Sequence, residues 1–314
     1  MPALTQPRVA RRPSPGGRGR ARLQCRLKYH LCDNSRTLRA RFIRQILALL
    51  LVVAVIGHAR PQQAPQSNKL VAVMGITREV APVEAKLEGS TVITILGMIF
   101  MSGTINGTRV VTVRSGVGKT NSAVAATLLL ERFKPSAVIW TGTAGAVDPD
   151  LRPADVVIAT GVGYHDYGAM TATGFVRNPT RNSGTGQVDP AFFPADPNLL
   201  AAARRAAAIV KLSRGPLAET DPAPRIHEGL IVTGDAFVAS PEHRNEIRKA
   251  LKASAVEMEG ASVAQVCARF GIPMIVIRSI TDRADGEASN SYQRFVDTSS
   301  RNSADLALAI IQSF

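Results

Sequence analysis

The stretch AVEMEGASVAQVCARFGIPMIVIRSITD, residues 255–282, changes rhythm twice. AVEME is short and apolar like a strand, GASVAQVCARF has helical spacing, and PMIVIRSITD is again an apolar strand. Strand, helix and strand in that order build a sheet covered by helices on both faces. The same alternation runs upstream. KLVAVMGI, AVIWTG, DVVIATGVG and GLIVTGDAF read as strands. GKTNSAVAATLLLERF, DPNLLAAARRAAAIVK and PEHRNEIRKAL read as helices, the last with Pro241 in its first turn. STVITILGMIF and TRVVTVRSG flank SGTING as a hairpin, and residues 290–313 form a closing helix. The fold class is therefore α/β, and no internal repeat is present. Residues 161–196 break the pattern, because they are too long and too rich in Gly, Pro and Asn for a simple connection.

In an open α/β sheet, ligands collect at the carboxyl ends of the strands. TGTAG, TGDAF, EMEG and SITDRAD all fall there. Asp282 ends one apolar strand and Glu259 follows another, so the two acids are expected in one crevice. A carboxyl group taken out of water keeps its proton to higher pH, which suits an acid catalyst. Glu79, just past the first strand, faces the same crevice. Glu257 is read as structural, capping a helix or pairing with Arg278 or Arg283. Phe237 beside these acids points to a flat, ring-bearing ligand.

Other motifs carry less. SGVGKT, residues 115–120, resembles a phosphate loop, but Val113 stands where that loop needs its first glycine. TGTAGAV, residues 141–147, offers backbone N–H groups and a hydroxyl at a strand end. Cys267 reads as a small core residue on its helix. The five histidines are scattered without ligand spacing, so no metal site is expected.

The chain has 314 residues and a formal charge of +14. Residues 1–59 hold eleven Arg, one Lys and one Asp, or +11, which leaves +3 for the remainder. Nucleic-acid binding by that remainder is therefore not expected. Residues 1–40 read as a disordered basic extension, rich in Arg, Pro and Gly. In residues 41–59 a basic flank, the apolar run Ile46–Ile56 and Gly-His-Ala follow one another as in a secretory signal cleaved after Ala59. The alternative is an uncleaved anchor that tethers the protein to a membrane. A start codon assigned too far upstream would explain the long basic region. Residues 60–68 form a linker, and 69–314 the folded domain. The protein is expected to be exported, or cytoplasmic if the extension is not a working signal.

SGVGKTNSAVAATLLLERFKPSAVIWTGTAGAV, GLIVTGDAF, AVEMEG and VIRSITD together resemble the methylthioadenosine/S-adenosylhomocysteine nucleosidases of the nucleoside phosphorylase superfamily. The resemblance covers Lys69 to Ile311. It implies a three-layer sandwich with a central mixed, mostly parallel twisted sheet, and a homodimer. It implies hydrolysis of the bond between adenine N9 and ribose C1′, with water as nucleophile and no cofactor. Asp282 would protonate N7 of adenine, and Glu79 would orient and deprotonate the water. Glu259 would hold the ribose hydroxyls, Met258 would pack on the sugar, and Phe237 would stack on adenine with the Val238 backbone at its edge. Thr143 and Gly145 would line the ribose side, Thr281 keeps the hydroxyl that many members carry as Ser, and Arg278 would organise the acids. Tyr164 in GYHDYG would reach a dimer partner's pocket. The chain departs from the family around Glu79, where ITR precedes it and Arg78 is a candidate partner for the acid.

Other activities stay open on sequence alone: a phosphate-dependent purine nucleoside phosphorylase, a nucleosidase for AMP or for a futalosine-type nucleoside, and an exported nucleoside-binding or transport component. Phosphorolysis would need cations to hold phosphate, and Trp140 and Thr141 precede GTAG where some phosphorylases carry Arg. A binding protein would need Phe237 and Glu259 but not both Glu79 and Asp282.

Overall fold

A computed structural model describes residues 69–216 and 222–314. The expectations for residues 1–40, 41–59 and 60–68 lie outside the described residues. Among the described residues, no helix is long and apolar enough to cross a membrane.

The chain opens with β1 (Leu70–Gly75), α1 (Thr77–Glu84) and a meander of β2 (Glu88–Ile95), β3 (Met98–Ile105) and β4 (Thr108–Arg114). Helix α2 (Lys119–Phe133) leads to β5 (Ala137–Ala146) and β6 (Val156–Tyr164). The glycine-rich segment holds the hairpin β7 (Gly168–Thr171) and β8 (Gly174–Arg177), then the short β9 (Phe193–Pro194). Next come α3 (Pro197–Ala207), β10 (Ile226–Thr233), α4 (Pro241–Leu251), β11 (Ala255–Glu257), α5 (Gly260–Phe270), β12 (Met274–Asp282) and α6 (Ala288–Ile311).

The main sheet has the order β11-β10-β6-β12-β5-β1-β4-β3-β2, with β9 added to β6. Strand β11 also pairs with β5, so β5, β12, β6, β10 and β11 close into a ring. The sheet is mixed, but parallel pairings do not predominate: five are parallel and five antiparallel. One cause is the meander, whose two-residue turns can join only antiparallel strands. These turns are Leu96–Gly97, with φ of 49° and 78°, and Asn106–Gly107, with φ of 49° and 81°. The first turn splits STVITILGMIF, expected as one strand, into β2 and β3. Leucine in a left-handed turn gives no composition signal.

Successive residues of β1 serve two different cores, as the period of two in a strand requires. Ala72 and Met74 join Ala125 and Leu129 of α2 and Val263 and Cys267 of α5. Val71 and Val73 join Val80 of α1, Ala203 of α3 and Leu306 and Ile310 of α6. Both faces are buried, so the strand reads as a continuous apolar run. The helix starts are fixed locally. Asp196 accepts from the N–H groups of Asn198 and Leu199 ahead of α3, and Ser240 accepts from His243 N ahead of α4. Each is followed by proline at the first helical position.

Candidate active site

The ends of β5, β11 and β12, the first turns of α1 and α6 and the segment after β10 surround a cavity of about 350 Å³. Glu79, Thr143, Gly145, Phe237, Val238, Met258, Glu259, Thr281 and Asp282, all singled out from the sequence, line it. Arg278 and Tyr164 do not.

Asp282 is the last residue of β12 and is buried. Its Oδ1 accepts from Ala284 N at 2.8 Å and its Oδ2 from the Thr281 hydroxyl at 2.8 Å. A bulge between Ile280 and Asp282 brings Asp282 opposite Gly145 of β5. A Cβ on Gly145 would come within 2.8 Å of the Asp282 carboxylate. Burial pushes the Asp282 carboxyl above its ordinary range, against the two hydrogen bonds.

Glu79 sits in the first turn of α1, where the N-terminal end of a helix favours an acid. Its Oε1 accepts from both the backbone N–H and the hydroxyl of Thr143 at 2.8 Å. Its Oε2 accepts from Ile76 N at 3.3 Å and lies 3.6 Å from Arg278 Nη1. Burial raises its pKa, and Arg278 and Thr143 oppose the rise. The expected pairing with Arg78 does not form. Arg78 lies on the exposed side of α1, 3.6 Å from Asp297.

Glu259 stands immediately before α5. Its Oε1 accepts from Gly118 N at 2.9 Å, and its Oε2 lies 3.3 Å from Arg278 Nη2. Burial, then the charge of Glu257, push its carboxyl up to about 8, with Arg278 working against them. Glu257 is held on every side. It takes Arg278 Nη2 and the Thr233 hydroxyl, and it accepts from the N–H groups of Glu259 at 3.0 Å and Gly260 at 2.8 Å. It therefore both caps α5 and pairs with Arg278.

Arg278 lies fully buried in β12, behind the cavity wall. One guanidinium thus faces Glu79, Glu257 and Glu259, and its Cζ stands 5.3 Å from the Trp140 ring centroid. Three carboxylates around one cation are underneutralised, which is why burial and the charge of Glu257 push the Glu259 carboxyl upward. Gly142 makes the arrangement possible, because a Cβ there would stand 1.8 Å from Arg278 Nη1.

Phe237 is 48% exposed at the cavity and meets Tyr292 edge to face at 6.1 Å. Tyr164 lies elsewhere: its hydroxyl donates to Gln265 Oε1 at 2.7 Å and its ring packs by Tyr167. The glycine turn before α2 binds carboxylates of this chain, with Gly118 N on Glu259 and Lys119 N on Asp235. Sequence reasoning missed Gly142 as the residue that makes room for Arg278. It also missed Ser289, Tyr292 and Gln293, which form one cavity wall from the start of α6. Their i, i+3, i+4 spacing after Asp282 was the available signal.

The chain matches the phosphorylase superfamily model over residues 69–312. It is 37% identical over 246 residues to a 5'-methylthioadenosine/S-adenosylhomocysteine nucleosidase of Psychromonas ingrahamii, across 78% of this chain and 99% of that one. The nucleosidase of Neisseria meningitidis, solved with methylthio-immucillin-A, superimposes with a TM-score of 0.67 at 35% identity, over 78% of this chain and 100% of that one. Futalosine hydrolase of Helicobacter pylori strain 26695 superimposes with a TM-score of 0.66 at 29% identity, over 78% of this chain and 98% of that one.

Proposed function

The chain belongs to the phosphorylase superfamily and, within it, to the methylthioadenosine/S-adenosylhomocysteine nucleosidases, and on that premise we infer that it hydrolyses the N-glycosidic bond of adenine nucleosides such as 5'-methylthioadenosine and S-adenosylhomocysteine. One observation carries hydrolysis over phosphorolysis. Glu79, Glu257, Glu259 and Asp282 line the cavity, while none of its described lining residues is Lys, Arg or His. Such a wall admits water and repels phosphate.

In this reading the sugar binds with its hydroxyls on Glu259 and its face on Met258, beside Thr143 and Gly145. Adenine stacks on Phe237, with its edge at the Val238 backbone. The bond between C1′ and N9 breaks with its electron pair leaving on the base, and Asp282 gives adenine N7 a proton. Burial shifts the Asp282 carboxyl toward its protonated form, and Thr281 fixes it in place. Glu79 takes a proton from the water whose oxygen joins C1′ of the oxocarbenium-like sugar. Arg278 touches no ligand; it keeps Glu79 and Glu259 in place. Water is the only co-substrate.

The test is turnover of methylthioadenosine, S-adenosylhomocysteine, adenosine, AMP and futalosine by the purified protein, with and without phosphate. Free adenine and free sugar without phosphate dependence support the reading. A sugar phosphate formed only with phosphate overturns it, as does saturable binding without turnover. The likeness to futalosine hydrolase favours a second reading, a larger group at the 5′ position, and the same assay separates the two.

We further propose that the sheet is the middle layer of a three-layer sandwich, since alternate residues of β1 serve two cores. We also propose that the enzyme is a homodimer in which Tyr164 serves the partner's site. Export, with residues 41–59 cleaved or kept as a membrane tether, rests on the basic flank and apolar run of those residues. N-terminal sequencing of the mature protein and cell fractionation decide between these forms.

A further inference from the structure

Lys119, the first residue of α2, is the centre of a cluster that none of these roles uses. Its Nζ donates to both carboxylate oxygens of Asp166 at 2.7 Å and lies 3.6 Å from Asp235 Oδ2. Its backbone N–H donates to Asp235 Oδ1 at 2.8 Å, and the N–H of Asp235 donates to Asp166 Oδ2 at 2.8 Å. The ammonium also stands 5.7 Å from the Tyr164 ring centroid, which is the place the structure gives that tyrosine.

These bonds join three segments that are distant in sequence: the turn before α2, the segment after β6 and the loop after β10. Two of them reach the cavity. The turn gives Glu259 its bond from Gly118 N. The loop carries Phe237 and Val238. The loop has no slack beneath it, because a Cβ on Gly234 would come within 2.2 Å of His165 Nε2. The Lys119–Asp166 pair is partly withdrawn from water, with side-chain exposures of 23% and 28%, while Asp235 is half exposed. Partial burial works against ionisation of Asp166, yet the bonds from Lys119 and Asp235 hold its carboxyl below the usual range. Charge-assisted bonds so placed hold more firmly than ion pairs in open solvent.

We propose that Lys119 is a positioning residue that fixes the Gly234–Val238 loop relative to Glu259, so that the base side and the sugar side of the cavity meet one nucleoside together. The proposal rests on the nucleosidase reading for its effect on turnover, and on the bonds alone for its effect on the loop. Without the clamp the nucleoside would have to order the loop itself, and that cost would appear in binding rather than in chemistry.

The test compares the full-length wild type with Lys119→Met, Asp166→Asn and Lys119→Arg. Two quantities are read: hydrogen exchange at the amides of Asp235–Val238, and kcat and KM for methylthioadenosine. Both neutral variants are expected to speed exchange in that loop about tenfold and to raise KM about tenfold, a change equivalent to roughly 1.4 kcal/mol. Exchange in β5 and β12 and kcat stay within about twofold, and Lys119→Arg, whose guanidinium can meet both Asp166 oxygens, recovers most of the loss. Unchanged loop exchange in both neutral variants overturns the proposal. So does faster exchange spread evenly over the sheet, which would mark a general loss of stability. A wild type without turnover would remove the nucleosidase reading and leave loop exchange to decide the clamp.

Discussion

Gly142 and Arg278 sit on paired strands, and the guanidinium occupies the space that any side chain at position 142 would need: a Cβ would stand 1.8 Å from Arg278 Nη1 and 2.5 Å from Glu79 Oε2. The missing side chain on β5 is therefore what lets one buried cation reach Glu79, Glu257 and Glu259.

Gly142→Ala is expected to push Arg278 out of register with its acids. Overpacking a tight interior typically costs about 1–3 kcal/mol, and weakening the pairing of buried charges adds to it. Urea unfolding should show this loss, and turnover should fall with it. An alanine variant of wild-type stability and activity would mean that the cluster relaxes freely and that Gly142 is not what makes room for it.

Asp282→Asn keeps the local bonds. The amide oxygen can still accept from Ala284 N, and the Thr281 hydroxyl has the Ala144 carbonyl at 3.3 Å as a second acceptor. It removes the acidic proton. Turnover is expected to fall about 10²–10⁴-fold, the usual scale of general acid catalysis, while adenine binding, read by calorimetry, changes little. Retention of near-full turnover would take the acid role away from Asp282.

Phe237→Ala removes a half-exposed ring that meets Tyr292 edge to face. Stacking of a base on an aromatic ring is worth roughly 1–3 kcal/mol, so KM should rise by about one to two powers of ten while kcat and the unfolding midpoint move little. A fall in kcat with KM unchanged would show that the ring acts on the transition state instead.

Much of this site was legible in the sequence because its acids stand at the ends of apolar strands, where the α/β architecture puts ligands. Glu79, Glu259 and Asp282 could be placed from that rule alone. Arg278 was visible as a cation inside a strand with Glu257 as a candidate partner, while its place among the other acids was implied by the family resemblance, because no spacing rule reports contacts of that range. The role of Gly142 depends on a side chain across the strand pair, which composition does not encode. Arg78 misled because adjacency in sequence is not adjacency on a helix: it points to Asp297, while Glu79 points to the cavity. The parallel bias was overestimated because three antiparallel pairings, β5 with β11, β6 with β12 and β6 with β9, join strands that no short turn connects, and Leu96 hid the turn behind a fourth, β2 with β3.

The buried acids also fix how stability depends on pH. Glu259 has an ordinary value near 4.5 and is pushed up to about 8 in the folded chain by burial and by Glu257. Between those values the folded protein holds a proton that the unfolded chain has released. The contribution of Glu259 to stability therefore falls as pH rises through that window, the opposite of the usual carboxylate in an ion pair. Glu79 and Asp282 are shifted in the same direction and add to the slope. Glu259→Gln removes one of the titrating groups and is expected to flatten the fall, with its largest gain over wild type toward pH 8. Urea unfolding at pH 5, 6, 7 and 8 reads both slopes. Slopes that are the same in the wild type and in Glu259→Gln would mean that Arg278 outweighs burial and keeps Glu259 ionised. The Glu259 carboxylate would then be ready to accept sugar hydroxyls without first losing a proton.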